Sequence, residues 1–126
     1  KKMIKVLIKA DSRYPIDRKI VREKVKQILE SKRLTQDVEV SLSFVGDRKM
    51  KILNFKYRKK NKTTDVLSFS MIEGKPFPED DILRLGDIVI SYPQARKQAR
   101  EYNILVDKEI NKLVEHGLLH LLGIHH

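Results

Sequence analysis

Residues 38–45 read V-E-V-S-L-S-F-V, and this stretch decides the fold class. Apolar side chains stand at every second position between glutamate and serine, which predicts a strand with one buried face and one polar face. On its amino-terminal side, Asp17 is placed to cap a helix that has an apolar side. On its carboxyl-terminal side, Gly46 and Asp47 turn the chain and cap a second helix. The stretch therefore belongs to a sheet with helices packed on it.

The rest of the chain supplies further strands and helices. Apolar runs predict strands at residues 3–9, 66–71 and 85–91. Ser91 is placed to cap a third helix, and Asp107 to cap a fourth. The predicted order is strand, helix, strand, helix, strand, strand, helix, helix.

These elements predict a single α+β domain over residues 1–126, with a mixed four-stranded sheet packed with about four to five helices. Residues 72–84 carry one glycine and two prolines and predict an exposed loop. Helical spacing predicts the side chains that face the core. They are Met50, Leu53 and Tyr57; Ala95, Ala99 and Tyr102; and Ile110, Leu113, Val114, Leu118 and Leu121.

Composition and charge restrict the setting and the partners. The chain has no cysteine, which excludes disulfides and cysteine zinc sites and fits a cytoplasmic location. It has no apolar run of membrane-spanning length, so no membrane partner is expected. Its net charge is +10. Residues 1–62 hold 20 Lys and Arg against 7 Asp and Glu. This basic half suits a surface for phosphates, and it also suits a solvated face that keeps the protein soluble.

All four histidines lie in the run E-H-G-L-L-H-L-L-G-I-H-H at residues 115–126. On a helix, His116 and His120 project from one face, about 6 Å apart along the axis. Gly123 is placed to end the helix in a left-handed cap, and the turn would bring His126 to the same point. Three imidazoles with a fourth position open are the ligand set of a catalytic zinc site. The sequence therefore predicts one zinc ion on the last helix and the turn after it.

The spacing resembles the metzincin protease run H-E-x-x-H-x-x-G-x-x-H, except that Gly117 replaces the glutamate that acts as general base. Glu115 lies on the other side of His116 and turns away from the metal face. Two alternatives to a metal site are packing of the histidine pair and a purification-tag remnant at the end. Neither explains a glycine inside the helix, which costs about 1 kcal/mol relative to alanine.

Three segments together resemble the YbeY family. They are L-N-F-K-Y-R-K-K-N-K-T-T-D-V-L-S-F-S (53–70), L-G-D-I-V-I-S (85–91) and H-G-L-L-H-L-L-G-I-H-H (116–126). The resemblance implies a bacterial metal-dependent endoribonuclease that matures ribosomal RNA, notably the 3′ end of 16S rRNA, and acts in ribosome quality control. It implies a small α+β fold and an RNA partner on or near the ribosome.

Carried over by position, the family's metal ligands fall on His116, His120 and His126, and its invariant arginine falls on Arg58. The family usually has aspartate before the last histidine, where this chain has His125. Family members usually continue past this motif, so the natural chain is expected to extend beyond residue 126.

Arg58 also has a rationale of its own, since it opens the basic run R-K-K-N-K at the end of the second helix. A guanidinium can hold a phosphate through two hydrogen bonds, although cations at a helix end also simply favour the dipole. Asp65 and Asp87 are candidate partners for a histidine N–H or strand-end caps.

The proposed chemistry is hydrolysis of an RNA phosphodiester by a zinc-activated water, with Arg58 as the catalytic residue. Attack by the RNA's own 2′-hydroxyl is the other route, and His125 is a candidate base. Two rival functions remain: a metallopeptidase-like hydrolase, and a non-catalytic ribosome-binding module with a structural zinc.

Overall fold

The computed structural model describes residues 3–32, 34, 36–72 and 82–124 of the 126-residue chain. Four strands and four helices lie in these residues in the predicted order. They are β1 (Ile4–Ala10), α1 (Arg18–Ser31), β2 (Asp37–Val45), α2 (Asp47–Arg58), β3 (Val66–Ser70), β4 (Ile82–Ser91), α3 (Tyr92–Tyr102) and α4 (Val106–Leu121). The α+β class, the four-stranded sheet and the four helices are confirmed.

The sheet is mixed, with the spatial order β1-β2-β4-β3. β1 and β2 pair in parallel, because α1 returns the chain to the same end of the sheet between them. β2 and β4 also pair in parallel. β3 pairs antiparallel with β4 and lies at the edge. β3 is the only described strand that lies beyond β4 in the sheet.

The main core lies between one face of the sheet and the helices α1, α3 and α4. The alternation predicted for β2 is confirmed, since Val38, Val40, Leu42 and Phe44 are all buried on this face. α1 begins as predicted, with the Asp17 carboxylate accepting a hydrogen bond from the Ile20 N–H at 3.1 Å. The predicted apolar stripe of α4 is entirely buried.

Of the described elements, α2 is the one that packs on the opposite face of the sheet, and it covers that face in part. A second, smaller core lies there, made of Val45, Met50, Leu67 and Val89. The predicted side of α2 is buried only at its start. Met50 is fully buried and Leu53 partly so, whereas Tyr57 keeps 55% of its surface exposed. The carboxyl-terminal end of α2 therefore stands clear of the small core.

The helix start predicted at Gly46 and Asp47 is confirmed: Gly46 is the N-cap of α2, without a side-chain cap bond, and Asp47 is the first helical residue. The predicted cap of α4 is wrong. Leu105 is the N-cap of α4, and Asp107 lies within its first turn. A carboxylate in the first turn also favours the positive end of the helix dipole, so its presence marks a helix start without fixing the first residue. The Ser91 cap is confirmed, because its hydroxyl accepts from the Gln94 N–H at 3.3 Å.

Two further predictions need correction. Tyr102 is not in the core but 58% exposed, because α3 ends at this residue and Asn103 takes a left-handed conformation. β4 begins at Ile82, three residues inside the predicted loop, where it extends its pairing with β2. Residues 73–81 of that loop lie outside the described residues. No helix in the described ranges is long and apolar enough to cross a membrane.

Candidate functional site

The histidine pair lies on the exposed side of α4. The opposite side of this helix is buried against the sheet, from Ile110 to Leu121. His116 and His120 are both exposed, and they sit one helical turn apart on the same face. The structure therefore brings these two predicted ligands together, in an orientation open to solvent. His125 and His126 lie outside the described residues.

The turn after α4 has the geometry that the sequence predicts. Gly123 has a φ of +81°, the left-handed conformation that glycine adopts without strain. The Ile124 N–H donates to the Leu119 carbonyl at 2.9 Å, and the Gly123 N–H donates to the His120 carbonyl at 3.0 Å. These two bonds form a Schellman motif, which ends the helix and reverses the chain. The cap prediction at Gly123 is confirmed.

Gly117 has a packing role that the sequence does not reveal. A Cβ at this position would lie 2.8 Å from Ile88 Cγ2, closer than side chains tolerate. The glycine therefore lets α4 approach β4, and it needs no metal to explain it. Gly117 therefore does not favour a metal site, contrary to the prediction, and metal binding is predicted from the histidines and Gly123 alone.

Metal binding at this site remains a prediction. Within the described ranges, no three His, Cys, Asp or Glu side chains are grouped so that they could hold a metal ion. The predicted third ligand, His126, is not among them. The chemistry of the donors fits: two exposed imidazoles at helical spacing, followed by a reversing turn, leave a coordination position for a third ligand. Glu115 pairs instead with Lys24 of α1 at 3.8 Å, so it does turn away from the histidine face.

Arg58 ends α2 and is exposed. The next residue, Lys59, has a φ of +59° and forms a left-handed cap, which directs the basic run away from the helix. Asn54 of α2 binds the end of this run. Its side chain is fully buried and donates to the Lys62 carbonyl at 2.9 Å. The structure thus places Arg58 at a fixed helix end, and its catalytic role stays a prediction.

One end of β3 links the arginine helix to the histidine helix. Tyr57 packs against Phe69 of β3, with ring centroids 4.9 Å apart. Phe69 approaches β4 so closely at Gly86 that a Cβ there would overlap the Phe69 carbonyl oxygen. A Cβ at Gly86 would also lie 3.1 Å from Leu121 of α4. Tyr57 precedes Arg58 in the chain, and Leu121 follows His120. Both therefore lie near the same end of β3.

The two candidate aspartates have different roles. Asp65 is a strand-end cap: its carboxylate accepts from the Val66 N–H at 2.8 Å and from Gln98 Nε2 at 3.3 Å. Asp87 is exposed and pairs with Phe69 on the α2 side of the sheet. Because Ile88, the next residue, faces Gly117 of α4, the Asp87 side chain lies on the opposite face from the histidine helix.

Sequence reasoning missed two polar clusters that hold the helices together. Asp47 accepts hydrogen bonds from Ser91 Oγ at 2.8 Å, Thr63 Oγ1 at 3.1 Å and Gln94 Nε2 at 3.2 Å. This carboxylate joins α2 to α3 and to the loop that follows Arg58. The available signal was its position directly after a strand, at the start of a helix.

The second cluster is centred on Glu109, which is 1% exposed. Its Oε2 accepts from Gln98 Nε2 at 3.0 Å, and the same amide group donates to Asp65. Its Oε1 lies 3.4 Å from Lys112 Nζ without forming a hydrogen bond. In the sequence, the sign of this cluster was a glutamate at a position of the apolar stripe of α4, four residues before Leu113.

The fold and the histidine pair define a small α+β protein with a candidate metal-ligand helix. The family model described as endoribonuclease YbeY matches residues 7–126. An endoribonuclease YbeY from Desulforamulus reducens is 47% identical over 110 residues, which cover 86% of this chain and 72% of that protein. One from Persephonella marina is 45% identical over 111 residues, 88% of this chain and 71% of that protein.

A solved structure is also similar. The solution structure of TM1509 from Thermotoga maritima matches with a TM-score of 0.62 and 30% identity, covering 96% of this chain and 74% of that one. The chain belongs to the YbeY endoribonuclease family.

Proposed function

We propose that this protein is a single-strand-specific, metal-dependent endoribonuclease. Its proposed place is in the cytoplasm, in ribosomal RNA processing, including maturation of the 16S rRNA 3′ end, and in ribosome quality control. The observation that carries the proposal is the exposed pair His116 and His120 on a buried helix, followed by the reversing turn at Gly123. Relatives over most of the chain are named endoribonucleases, which supports RNA as the substrate.

His116, His120 and His126 are the residues that would hold a zinc ion. When bound, such an ion supplies a Lewis acid for a phosphoryl oxygen and an acidified water. The protein's own contribution is to fix the first two imidazoles. They stand on consecutive turns of a helix whose other side is packed at Gly117 and Leu118, so their spacing is set by the core.

Arg58 would bind the phosphate that is to be cleaved. Its guanidinium can donate two parallel hydrogen bonds to phosphate oxygens and offset the charge that develops during displacement. The following lysines of the basic run would contact neighbouring phosphates. Asn54 and the left-handed cap at Lys59 hold this run in place, which reduces the entropy lost on binding RNA.

The structure gives a reason against a peptidase. In the metzincin run the residue after the first histidine is a glutamate, the general base. Here that position is Gly117, which faces Ile88 in the core and has no room even for a Cβ. Glu115, the nearest carboxylate in the sequence, is held by Lys24. We therefore propose an enzyme that cleaves phosphodiesters and leaves peptides intact.

The test is to incubate the purified protein with single-stranded RNA, duplex RNA and casein, each with and without chelator. We expect cleavage of single-stranded RNA alone, loss of cleavage with chelator, and one equivalent of zinc by elemental analysis. His120→Ala should lose both zinc and activity. Glu115→Ala is the matched control, because it changes the same helix but not its histidine face, and it should keep both.

Casein hydrolysis that disappears in His120→Ala would establish the peptidase instead. RNA binding without cleavage, in protein that contains zinc, would favour the structural-zinc module. A wild-type protein that neither contains nor takes up zinc would remove the metal site.

A further inference from the structure

Among the residues that the structure describes, little besides α2 covers the face of the sheet that carries this helix. On this face, Lys9 of β1 pairs with Ser43 of β2. Leu7 of β1 pairs with Ser41 of β2, which in turn pairs with Asp87 of β4. Leu7 is 41% exposed, and Lys9 is exposed too. α2 covers only the carboxyl-terminal corner of this face, at Val45 and Val89. A groove therefore remains between the helix and the uncovered strands.

This groove has a volume of about 430 Å³. Ser43 and Asp87 lie on its sheet side, Lys49 and Tyr57 on its helix side, and Phe69 on the edge strand. A second hollow of about 290 Å³ adjoins it and shares Ser43 and Lys49. The two adjoining hollows are together called the channel below.

Two aromatic rings stand at one end of the groove. Tyr57 is 55% exposed and Phe69 is partly buried, and their rings are tilted by 58°. Lys56 Nζ lies 5.2 Å from the centre of the Tyr57 ring. Rings at an open groove, with a cation beside them, are the parts with which proteins bind unpaired bases without strong sequence preference.

Charge around the channel favours an anionic chain. Lys9 and Lys49 line the second hollow, and Lys56 and Arg58 stand on either side of Tyr57 in the sequence at the aromatic end. The carboxylate of Asp11 is already bound by Arg13. Asp87 is the remaining carboxylate in the lining of the two hollows. It lies on the floor, where it would repel a phosphate and accept a hydrogen bond from the N–H edge of a base.

We propose that this groove holds an unpaired nucleotide of the RNA substrate, with its base against Tyr57 and Phe69 and a flanking phosphate at Lys49. The inference rests on the proposed function and names a binding subsite for it. Tyr57 at the aromatic end directly precedes Arg58 and packs on Phe69, near the end of β3 that also approaches Leu121 of the histidine helix. A strand in the groove would thus pass around the edge strand towards the histidines.

The experiment is single-turnover cleavage of a short unstructured RNA over a range of protein concentrations. Tyr57→Ala should raise the half-saturating protein concentration about 5- to 150-fold, the effect of losing one base–ring stack, with little change in the limiting rate. Tyr57→Phe keeps the ring and should behave as wild type. Tyr102→Ala is the matched control: Tyr102 is 58% exposed with Lys112 Nζ 4.6 Å from its ring centre, but it lies on α3.

An unchanged half-saturating concentration in Tyr57→Ala would overturn the inference, and the exposed rings would then belong to a surface for a protein partner. An equal loss in Tyr102→Ala would also overturn it. If the wild-type protein does not cleave RNA, the proposed function fails, and anisotropy of the same labelled RNA then tests the groove by itself. Reduced affinity in Tyr57→Ala but not in Tyr57→Phe would support the groove in that case as well.

Discussion

Replacing Gly117 by alanine separates its packing role from any role at the metal. The added Cβ would lie 2.8 Å from Ile88 Cγ2, 3.3 Å from Cγ1 and 3.4 Å from Cδ1. Ile88 is fully buried in the main core, and its branched side chain has little rotamer freedom. The clash therefore cannot be relieved by rotating one terminal group, and α4 or β4 must shift.

Two effects of opposite sign decide the outcome. Alanine favours a helix interior over glycine by about 1 kcal/mol, which stabilises the variant. Adding a methyl group to a filled core costs about 1–3 kcal/mol. We expect Gly117→Ala to be destabilised by up to about 2 kcal/mol in the net free energy of unfolding, since the contact involves a rigid neighbour.

Urea unfolding of a double-mutant cycle measures this directly. In an Ile88→Ala background the three contacting atoms are gone, so Gly117→Ala should become stabilising by about 1 kcal/mol. In an Ile88→Val background the two nearest branches remain, and Gly117→Ala should stay destabilising. All proteins are compared in chelator, because zinc binding would add its own stabilisation by mass action.

A stabilised Gly117→Ala in the wild-type background would refute the packing argument, because it would show that the helix and the strand have room for a methyl group. Zinc content provides a second check. Folded Gly117→Ala protein should bind zinc as wild type does, since the added Cβ would face Ile88 in the core whereas His116 and His120 are exposed. Loss of zinc without loss of stability would restore a metal role for the glycine.

Three further predictions address the other parts of the site. Arg58→Ala should slow single-turnover RNA cleavage by about 100- to 1,000-fold while zinc content and thermal stability stay near wild type; a wild-type rate would reduce Arg58 to surface charge. Asp47→Ala should destabilise the fold by about 1–3 kcal/mol in urea unfolding, because three donors lose their acceptor; an unchanged midpoint would mean that water replaces it. Hydrogen bonds from Arg13 lower the pKa of Asp11 from 3.8 to about 2. The pair should therefore stabilise the fold above pH 3.8 and lose this effect as the pH falls through 2. An NMR titration midpoint near 3.8 for the Asp11 carboxyl would contradict this.

Most of the fold could be predicted because its signals are local. Alternation along β2 and apolar spacing along α4 are each visible within one element, and both are confirmed. The caps at Asp17 and Ser91 were also readable, since each side chain bonds an N–H three residues later. Tyr102 was misplaced because helical spacing says nothing about where a helix ends.

The histidine pair of the candidate site was equally local. A spacing of four on an apolar helix fixes two side chains on one face, and a glycine three residues later ends the helix. Ile88, in contrast, could not be identified as the reason for Gly117. That contact joins a helix to a strand far away in the chain, and no periodicity within α4 reports it. The Asp47 and Glu109 clusters escaped notice for the same reason, because their partners come from other elements.

The relation between Arg58 and the histidines depends on the pairing of β3 with β4. Gly86 has a φ of +138° and follows a register shift in β4, where one extra residue faces β2. Its lack of a Cβ admits the Phe69 carbonyl on one side and Leu121 on the other. Phe69 in turn supports Tyr57, beside Arg58. Side chains of two helices on opposite faces of the sheet, Tyr57 of α2 and Leu121 of α4, therefore lie near the same end of β3, and a side chain at Gly86 would disturb this arrangement. The residues predicted for the site lie in short-range motifs, but a site that unites them would depend on this long-range backbone contact between β3 and β4.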